Sequence, residues 1–281
     1  MAGKMFEFIT KTWNPIAYCD HDCEYGWCKE YGFDPVPTIH ESINHAPKSG
    51  TIGVCLRSDL FCQGIPSDFI RGVLNALSPP QKERIEFFMS KNPARYNEFQ
   101  KFFNETLPSA VLGCTIESNR NYPKISRAPL QTERLYVMDI LQITHIPKRF
   151  ISIEPILDFD LDEFLEAIDD ITPEFGVAIG YDNYNHHLPE PTLEKTMALI
   201  KGLEDAGIKV YRKTLRKAWN EPAFDETFTS ERGGGIFDLF GARDSEGLAW
   251  LRSPYVNGSK VLLLHGPNTW KSFWGGLKNG L

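Results

Sequence analysis

Short apolar runs alternate with helical patterns through most of this chain, and that alternation limits the fold more than any other feature. Candidate strands cover Phe6–Thr10, Thr51–Leu56, Ile85–Met89, Val111–Ile116, Phe150–Ile153, Gly176–Gly180 and Lys209–Tyr211. Most are too short for independent helices, and most end in turn or polar residues. Candidate helices Ser67–Leu77, Asn92–Asn104, Thr132–Gln142, Asp160–Asp169 and Thr192–Ala206 lie between them. Ser67 and Asn92 read as N-caps, Pro93 suits a first helical position, and Gly207 suits a helix stop. Strand–helix alternation of this kind implies an α/β fold with a mostly parallel sheet, here a partial (β/α)6-type barrel.

In such barrels the chemistry sits at the C-terminal ends of the strands. Polar residues gather at those ends: Ser58 and Asp59, then Ser90, Lys91 and Asn92, then Thr115, Glu117, Ser118 and Asn119. Ser152 and Glu154 follow the fifth run, and Gly180, Tyr181, Asp182 and Asn183 the sixth. Glu117 and Glu154 stand out, because each comes directly after an apolar run. Residues 1–214 form the expected barrel, and 215–281 an extension packing on it, with an apolar strand at Val261–Leu264. The glycines Gly233–Gly235 follow no strand and open no clear helix, which argues against a phosphate loop.

The formal charge of −7 argues against a general electrostatic grip on nucleic acid. The densest basic run is Lys209, Arg212, Lys213, Arg216 and Lys217. It reads as a solvated face, and it keeps a local nucleic-acid contact as an unfavoured alternative. Arg212 and Lys213 are also placed to meet an anionic substrate, and His186-His187 reads as a solvated loop. No run of 18 apolar residues occurs, so no membrane span is expected. The start lacks a signal-peptide pattern, and a cytoplasmic location is the expectation. Disulfides are then not expected, and the six cysteines need another account. Cys55, Cys62 and Cys114 are scattered and read as core residues.

The other three, Cys19, Cys23 and Cys28, crowd into one loop after the first strand with spacing C-x3-C-x4-C. Three thiolates can hold three irons of a [4Fe–4S] cube and leave the fourth iron open to another ligand. Zinc held by the three cysteines and His21 is an alternative, on a non-redox binding protein. Unligated buried cysteines are the third.

The run Thr12-Trp13-Asn14-Pro15 before the cysteines resembles the start of the phage three-Cys-motif family, a radical S-adenosylmethionine (SAM)-like family of phages, bacteria and archaea. Ser58-Asp59-Leu60-Phe61, Leu112–Asn119, Glu133-Arg134 and Phe150–Ile156 resemble further segments of that family, in order. The usual radical SAM spacing is C-x3-C-x2-C. Here two residues are added, Gly26 stands where the third cysteine would fall, and Trp27 keeps the aromatic before Cys28. The resemblance implies a radical SAM barrel and an enzyme that cleaves SAM reductively to a 5′-deoxyadenosyl radical. It implies a [4Fe–4S] cluster and SAM as cofactors, and an electron donor such as flavodoxin or ferredoxin. It leaves the substrate unnamed. By the same resemblance Cys19, Cys23 and Cys28 hold the cluster, and Trp27 lies beside the SAM adenine. Asp59 takes the amino group, Thr115, Glu117 and Asn119 approach the ribose and methionine, Arg134 pairs the carboxylate, and Glu154 faces the mouth. A nucleic-acid-modifying radical enzyme is one variant of this reading.

Overall fold

The computed structural model describes residues 5–26, 32, 34–141, 148–221, 249–252 and 260–263. The chain divides into two compact units, Met1–Glu221 and Pro222–Leu281. The first contains strands β1 (Lys11–Trp13), β2 (Gly50–Val54), β3 (Arg84–Ser90), β4 (Val111–Thr115), β5 (Arg149–Ile153), β6 (Gly176–Ile179) and β7 (Val210–Arg212). They form one sheet in sequence order, every neighbouring pair parallel. Helices α1 (Ser67–Ala76), α2 (Gln100–Glu105), α3 (Gln131–Ile140), α4 (Leu161–Ile171) and α5 (Leu193–Asp205) lie along the connections. This is the partial (β/α) barrel that the alternation predicts. In the second unit β8 (Ala249–Arg252) pairs antiparallel with β9 (Lys260–Leu263), the apolar strand expected there. The Gly-rich stretch 233–235 lies outside the described residues.

The barrel strands carry apolar residues on both faces, as strands covered on both sides must. Their outer face, including Ile52, Val54, Phe88, Leu112, Ile151 and Val177, packs on the inner sides of the helices, where Ile70, Val73, Phe164 and Leu199 are buried. Leu215 and Ala218 join this layer, so the first unit continues past residue 214. The inner face presents Phe87, Val111, Phe150, Ala178 and Tyr211 to the interior.

The first expected strand is displaced. Regular pairing with β2 begins at Lys11 opposite Ile52; the Thr10 N–H still reaches the Thr51 carbonyl at 2.9 Å, and residues 5–8 have no strand partner. Residues 5–8 bend instead, and the rings of Phe6 and Phe8 enter the interior layer. Phe6 meets Phe150 edge-on with centroids 5.2 Å apart, and Phe8 meets Tyr211 at 4.9 Å and Phe175 at 5.0 Å. Such pairs add about 0.5–1.5 kcal/mol each beyond the area they bury.

Two expected caps also differ. Pro66 precedes α1, and the Ser67 hydroxyl bonds Glu98 at 2.8 Å. The segment Pro93–Phe99 is a 3-10 helix without a side-chain cap, because the Asn92 amide reaches across to the Phe61 carbonyl at 3.2 Å. At α5 the Thr192 hydroxyl does cap, accepting from the Lys195 N–H at 3.2 Å, and Gly207 follows at φ +82°, where glycine carries no steric cost.

Candidate active site

The loop after β1 runs along the C-terminal ends of the strands and is fastened on two sides. On one side the Glu24 N–H bonds the Ile125 carbonyl at 2.8 Å, and the Arg127 N–H bonds the His21 carbonyl at 2.7 Å. There the Cys23 sulfur lies 3.1 Å from the Ser126 hydroxyl. On the other side the turn after β2 meets the loop, with the Gly64 N–H donating to Asp20 at 2.7 Å. A side chain at Gly64 would strike Asp20 and Tyr18 at 2.8 Å, so glycine permits the approach. Cys19 and Cys23 are free thiols in this loop. The Cys62 thiol beside Cys19 lowers the Cys19 pKa to about 7. Trp27 and Cys28 lie outside the described residues. Among the described residues no three His, Cys, Asp or Glu side chains gather as a metal site, so Cys19, Cys23 and His21 do not converge there.

Asp59 is buried beneath the loop. It receives four donors: His21 Nε2 at 2.7 Å, the Ser90 hydroxyl at 3.0 Å, the Lys91 N–H at 2.7 Å and the Phe61 N–H at 2.9 Å. Burial opposes its ionisation, but His21 and these hydrogen bonds more than offset that and hold the carboxyl below its ordinary range. Asp59 thereby ties the cysteine loop to the ends of β2 and β3.

A second buried carboxylate closes the ends of β4 and α3. Arg134 Nη2 donates to Glu117 at 2.8 Å, and Nη1 reaches the Thr115 carbonyl. Both side chains are almost wholly buried, at 1% and 0% exposure. The Tyr25 hydroxyl donates to the other Glu117 oxygen, and Gln131 approaches at 3.4 Å. Burial again works against the Glu117 charge, yet Arg134 and Lys91 prevail and lower its pKa. Arg134 Nε is buried without a partner. Lys91 extends from the end of β3 with its Nζ 5.0 Å from the centre of the Tyr25 ring, and it makes no ion pair among the described residues. Burial would favour its neutral form, but Cys23 and Glu117 outweigh that and raise its pKa.

The remaining predicted residues occupy the same end of the barrel. Glu154 faces Lys213 Nζ at 3.0 Å, and Lys213 also donates to the Met5 carbonyl. Asn119 clasps the backbone of Asp160 with both ends of its amide, at 2.9 and 3.2 Å. Thr115 contributes its carbonyl to Arg134. The basic run is largely matched by acids. Arg212 meets Glu204 at 2.9 Å, Arg216 meets Glu190 at 2.6 Å, and Lys209 lies 4.4 Å over the Tyr211 ring. His186 is held by Asp182 at 2.9 Å, and His187 is exposed.

Sequence reasoning singled out neither Lys91 nor Tyr25 as a site residue. Lys91 carried the same signal as Glu117, a charge following an apolar run. Tyr25 carried none, because only tertiary contact brings it to Glu117. Cys62, read as core, is indeed buried, and its sulfur also adjoins Cys19.

No protein-family model matches the chain, and no curated protein matches it. Solved structures share its fold. A mutant of spore photoproduct lyase superposes with a TM-score of 0.52 at 10% identity, over 73% of this chain and 76% of that one. Streptococcus suis SuiB bound to the precursor peptide SuiA gives 0.53 at 8% identity, over 74% of this chain and 49% of SuiB. SuiB bound to S-adenosylmethionine gives 0.50 at 9% identity, over 84% of this chain and 55% of SuiB. The chain thus spans about half the length of SuiB. The likeness is one of fold: these structures share the partial (β/α) barrel. Among the described residues no helix is long and apolar enough to cross a membrane.

Proposed function

We propose that this protein is a radical SAM enzyme, with a [4Fe–4S] cluster held by Cys19, Cys23 and Cys28 at the C-terminal mouth of the barrel. One observation carries the reading. The loop bearing Cys19 and Cys23 is laced over the strand ends, and its neighbours there are Lys91, without an ion pair among the described residues, and the buried Glu117–Arg134 pair. The donor set fits the group. Both cysteines are free thiols, soft donors suited to iron–sulfur clusters, and Cys19 is poised to ionise near neutral pH. The chemistry supplied when cluster and SAM are bound is a one-electron reductive cleavage of the sulfonium to a 5′-deoxyadenosyl radical.

The chain's own residues then divide the work. Cys19, Cys23 and Cys28 supply the sulfurs. Lys91, with no carboxylate paired to it among the described residues, is the cation for the carboxylate of SAM. Arg134 is engaged by Glu117 and Thr115, so it holds Glu117 in place and acts on the ligand through that carboxylate. Asp59 orients the loop through His21. Thr115 and Asn119 line the approach to the adenosine, and Glu154 with Lys213 presents a polar pair toward the substrate. The electron comes from a small redox protein such as flavodoxin or ferredoxin.

The test is anaerobic reconstitution with iron and sulfide. We expect a brown protein that releases 5′-deoxyadenosine when reduced with SAM, and loss of both properties in Cys19→Ala, Cys23→Ala and Cys28→Ala. A colourless protein, or one zinc and no iron per chain, defeats the proposal.

A further inference from the structure

The loop after β6 holds a second arrangement of charged and basic groups. Asp182 is buried there, and among the described residues every donor to its carboxylate comes from the four residues that follow it. The Tyr184 N–H reaches Oδ1 at 3.2 Å, and the His186 N–H reaches Oδ2 at 2.7 Å. The His186 ring meets Oδ1 through Nδ1 at 2.9 Å. The loop is wound tightly to allow this. Asn185 and His187, on either side of His186, both take φ +54°. Asparagine visits that region readily, but a histidine there costs about 1 kcal/mol. Such strain persists where the surroundings fix it. Two contacts from the segment after β7 do so: Arg216 Nη2 donates to the Asp182 carbonyl at 2.6 Å, and the Thr214 hydroxyl donates to Asn183 Oδ1 at 2.6 Å. His186 is therefore a fixed ring, not the solvated loop residue that the sequence suggests.

Its partner also decides which ring nitrogen carries the proton. Burial opposes the ionisation of Asp182, but the hydrogen bonds from His186 and Tyr184 outweigh it and hold the carboxyl below its ordinary range. An ionised carboxylate only accepts, so Nδ1 donates and the neutral ring keeps its lone pair on Nε2. Nε2 makes no hydrogen bond among the described residues, and the side chain is 23% exposed. His21 is the contrast, because its Nε2 is engaged by Asp59. At the strand ends where barrel chemistry sits, an imidazole backed by a carboxylate with Nε2 open is suited to accept a proton. We propose that His186 is an acid–base residue for a substrate that presents an O–H or N–H, with Asp182 as its positioning residue. Nε2 takes the proton, the bonding pair stays on the substrate oxygen or nitrogen, and Asp182 stabilises the imidazolium that results. Its service in a radical reaction rests on the proposed function; the orientation and reactivity of the ring do not.

The experiment treats the full chain with diethyl pyrocarbonate at about pH 8, above the ordinary imidazole range. Peptide mass spectrometry follows each of the seven histidines. The reagent acylates a bare imidazole nitrogen. His187 is the internal control, since it is exposed and makes no ion pair among the described residues. Access alone would make His187 the faster of the two. A carboxylate behind the ring should instead make His186 about tenfold faster, the low end of what such a partner contributes. Asp182→Asn should remove most of that advantage, and nitrogen NMR of the wild type should show the His186 proton on Nδ1. A His186 rate at or below that of His187, or a proton on Nε2, overturns the proposal. A wild-type rate in Asp182→Asn overturns the positioning role of Asp182. If that variant does not fold, the comparison of the two histidines in the wild type decides. The expected rates in a protein that takes up no cluster would keep this site and remove only the radical chemistry.

Discussion

The two ends of the barrel interior are filled by opposite chemistry. Toward the N-terminal ends of the strands, Phe6, Phe8, Phe87, Phe150 and Phe175 form a ring cluster with no charge among its buried members. Toward the C-terminal ends, the interior is occupied by Asp59, Lys91, Glu117, Arg134, Glu154 and Lys213. The first arrangement needs nothing but contact, since apolar burial is favourable by itself. The second is costly unless each charge finds a partner. A chain carries such a cluster when those groups have another task, and the contrast separates the end that stabilises from the end that acts.

The largest effects should come from one substitution at each end. Phe6→Ala leaves a cavity among edge-on rings and should cost about 3–5 kcal/mol. Arg134→Ala strands the buried Glu117 charge and should cost about 3–5 kcal/mol as well. Equal losses in urea unfolding would hide different causes, and a second change exposes them. Adding Glu117→Leu to Arg134→Met should leave a protein far more stable than Arg134→Ala, because two apolar groups replace two ions. If the double variant is no better than the single, the mouth is held by packing as the other end is, and the contrast fails.

Lys91 sharpens the contrast from the other side, because among the described residues its charge has no salt-bridge partner, only the Tyr25 ring and the field of Glu117. Lys91→Met should cost about 1–2 kcal/mol, the worth of a partly desolvated cation–ring contact, less than the loss in Arg134→Ala. It should weaken SAM binding to the cluster-loaded protein roughly 10–100-fold, the worth of a charge-assisted hydrogen bond of about 1.5–3 kcal/mol. Calorimetric titration gives the answer. Unchanged affinity would mean that the anionic end of the ligand lies elsewhere.

These two ends were unequally legible in the sequence. The charged end could be read because charge after an apolar run is conspicuous, and Glu117 and Glu154 were found that way. What could not be read was which charges cancel. Arg134 looks available in the sequence and is consumed by Glu117, whereas Lys91 looks like a strand-end lysine and makes no salt bridge among the described residues. The aromatic end was misread at Phe6–Thr10. Alternating rings suit a strand, but a strand also needs a partner, and β2, which begins at Gly50, starts too late to supply one for Phe6–Phe8.

The smallest effect concerns Glu154, at the boundary between the two ends. Its carboxyl is held above the ordinary value of 4.5, because burial outweighs the opposing pull of Lys213. The folded protein therefore binds this proton more tightly than the unfolded chain does. The stabilisation is fully present below pH 4.5 and is lost as pH rises through the raised folded value. Glu154→Gln cannot ionise, so its stability should lack this decline. It also leaves Lys213 without its counter-ion, but lysine stays charged across the whole window, and that penalty is a constant offset. The slope with pH is therefore the quantity to compare, by urea unfolding at steps from pH 4 to pH 7. A shallower decline in Glu154→Gln means that burial governs this carboxylate, as it governs the rings beneath it. Matching slopes would mean that Lys213 balances burial, and a steeper decline that it prevails; either would put Glu154 with the paired charges of the mouth.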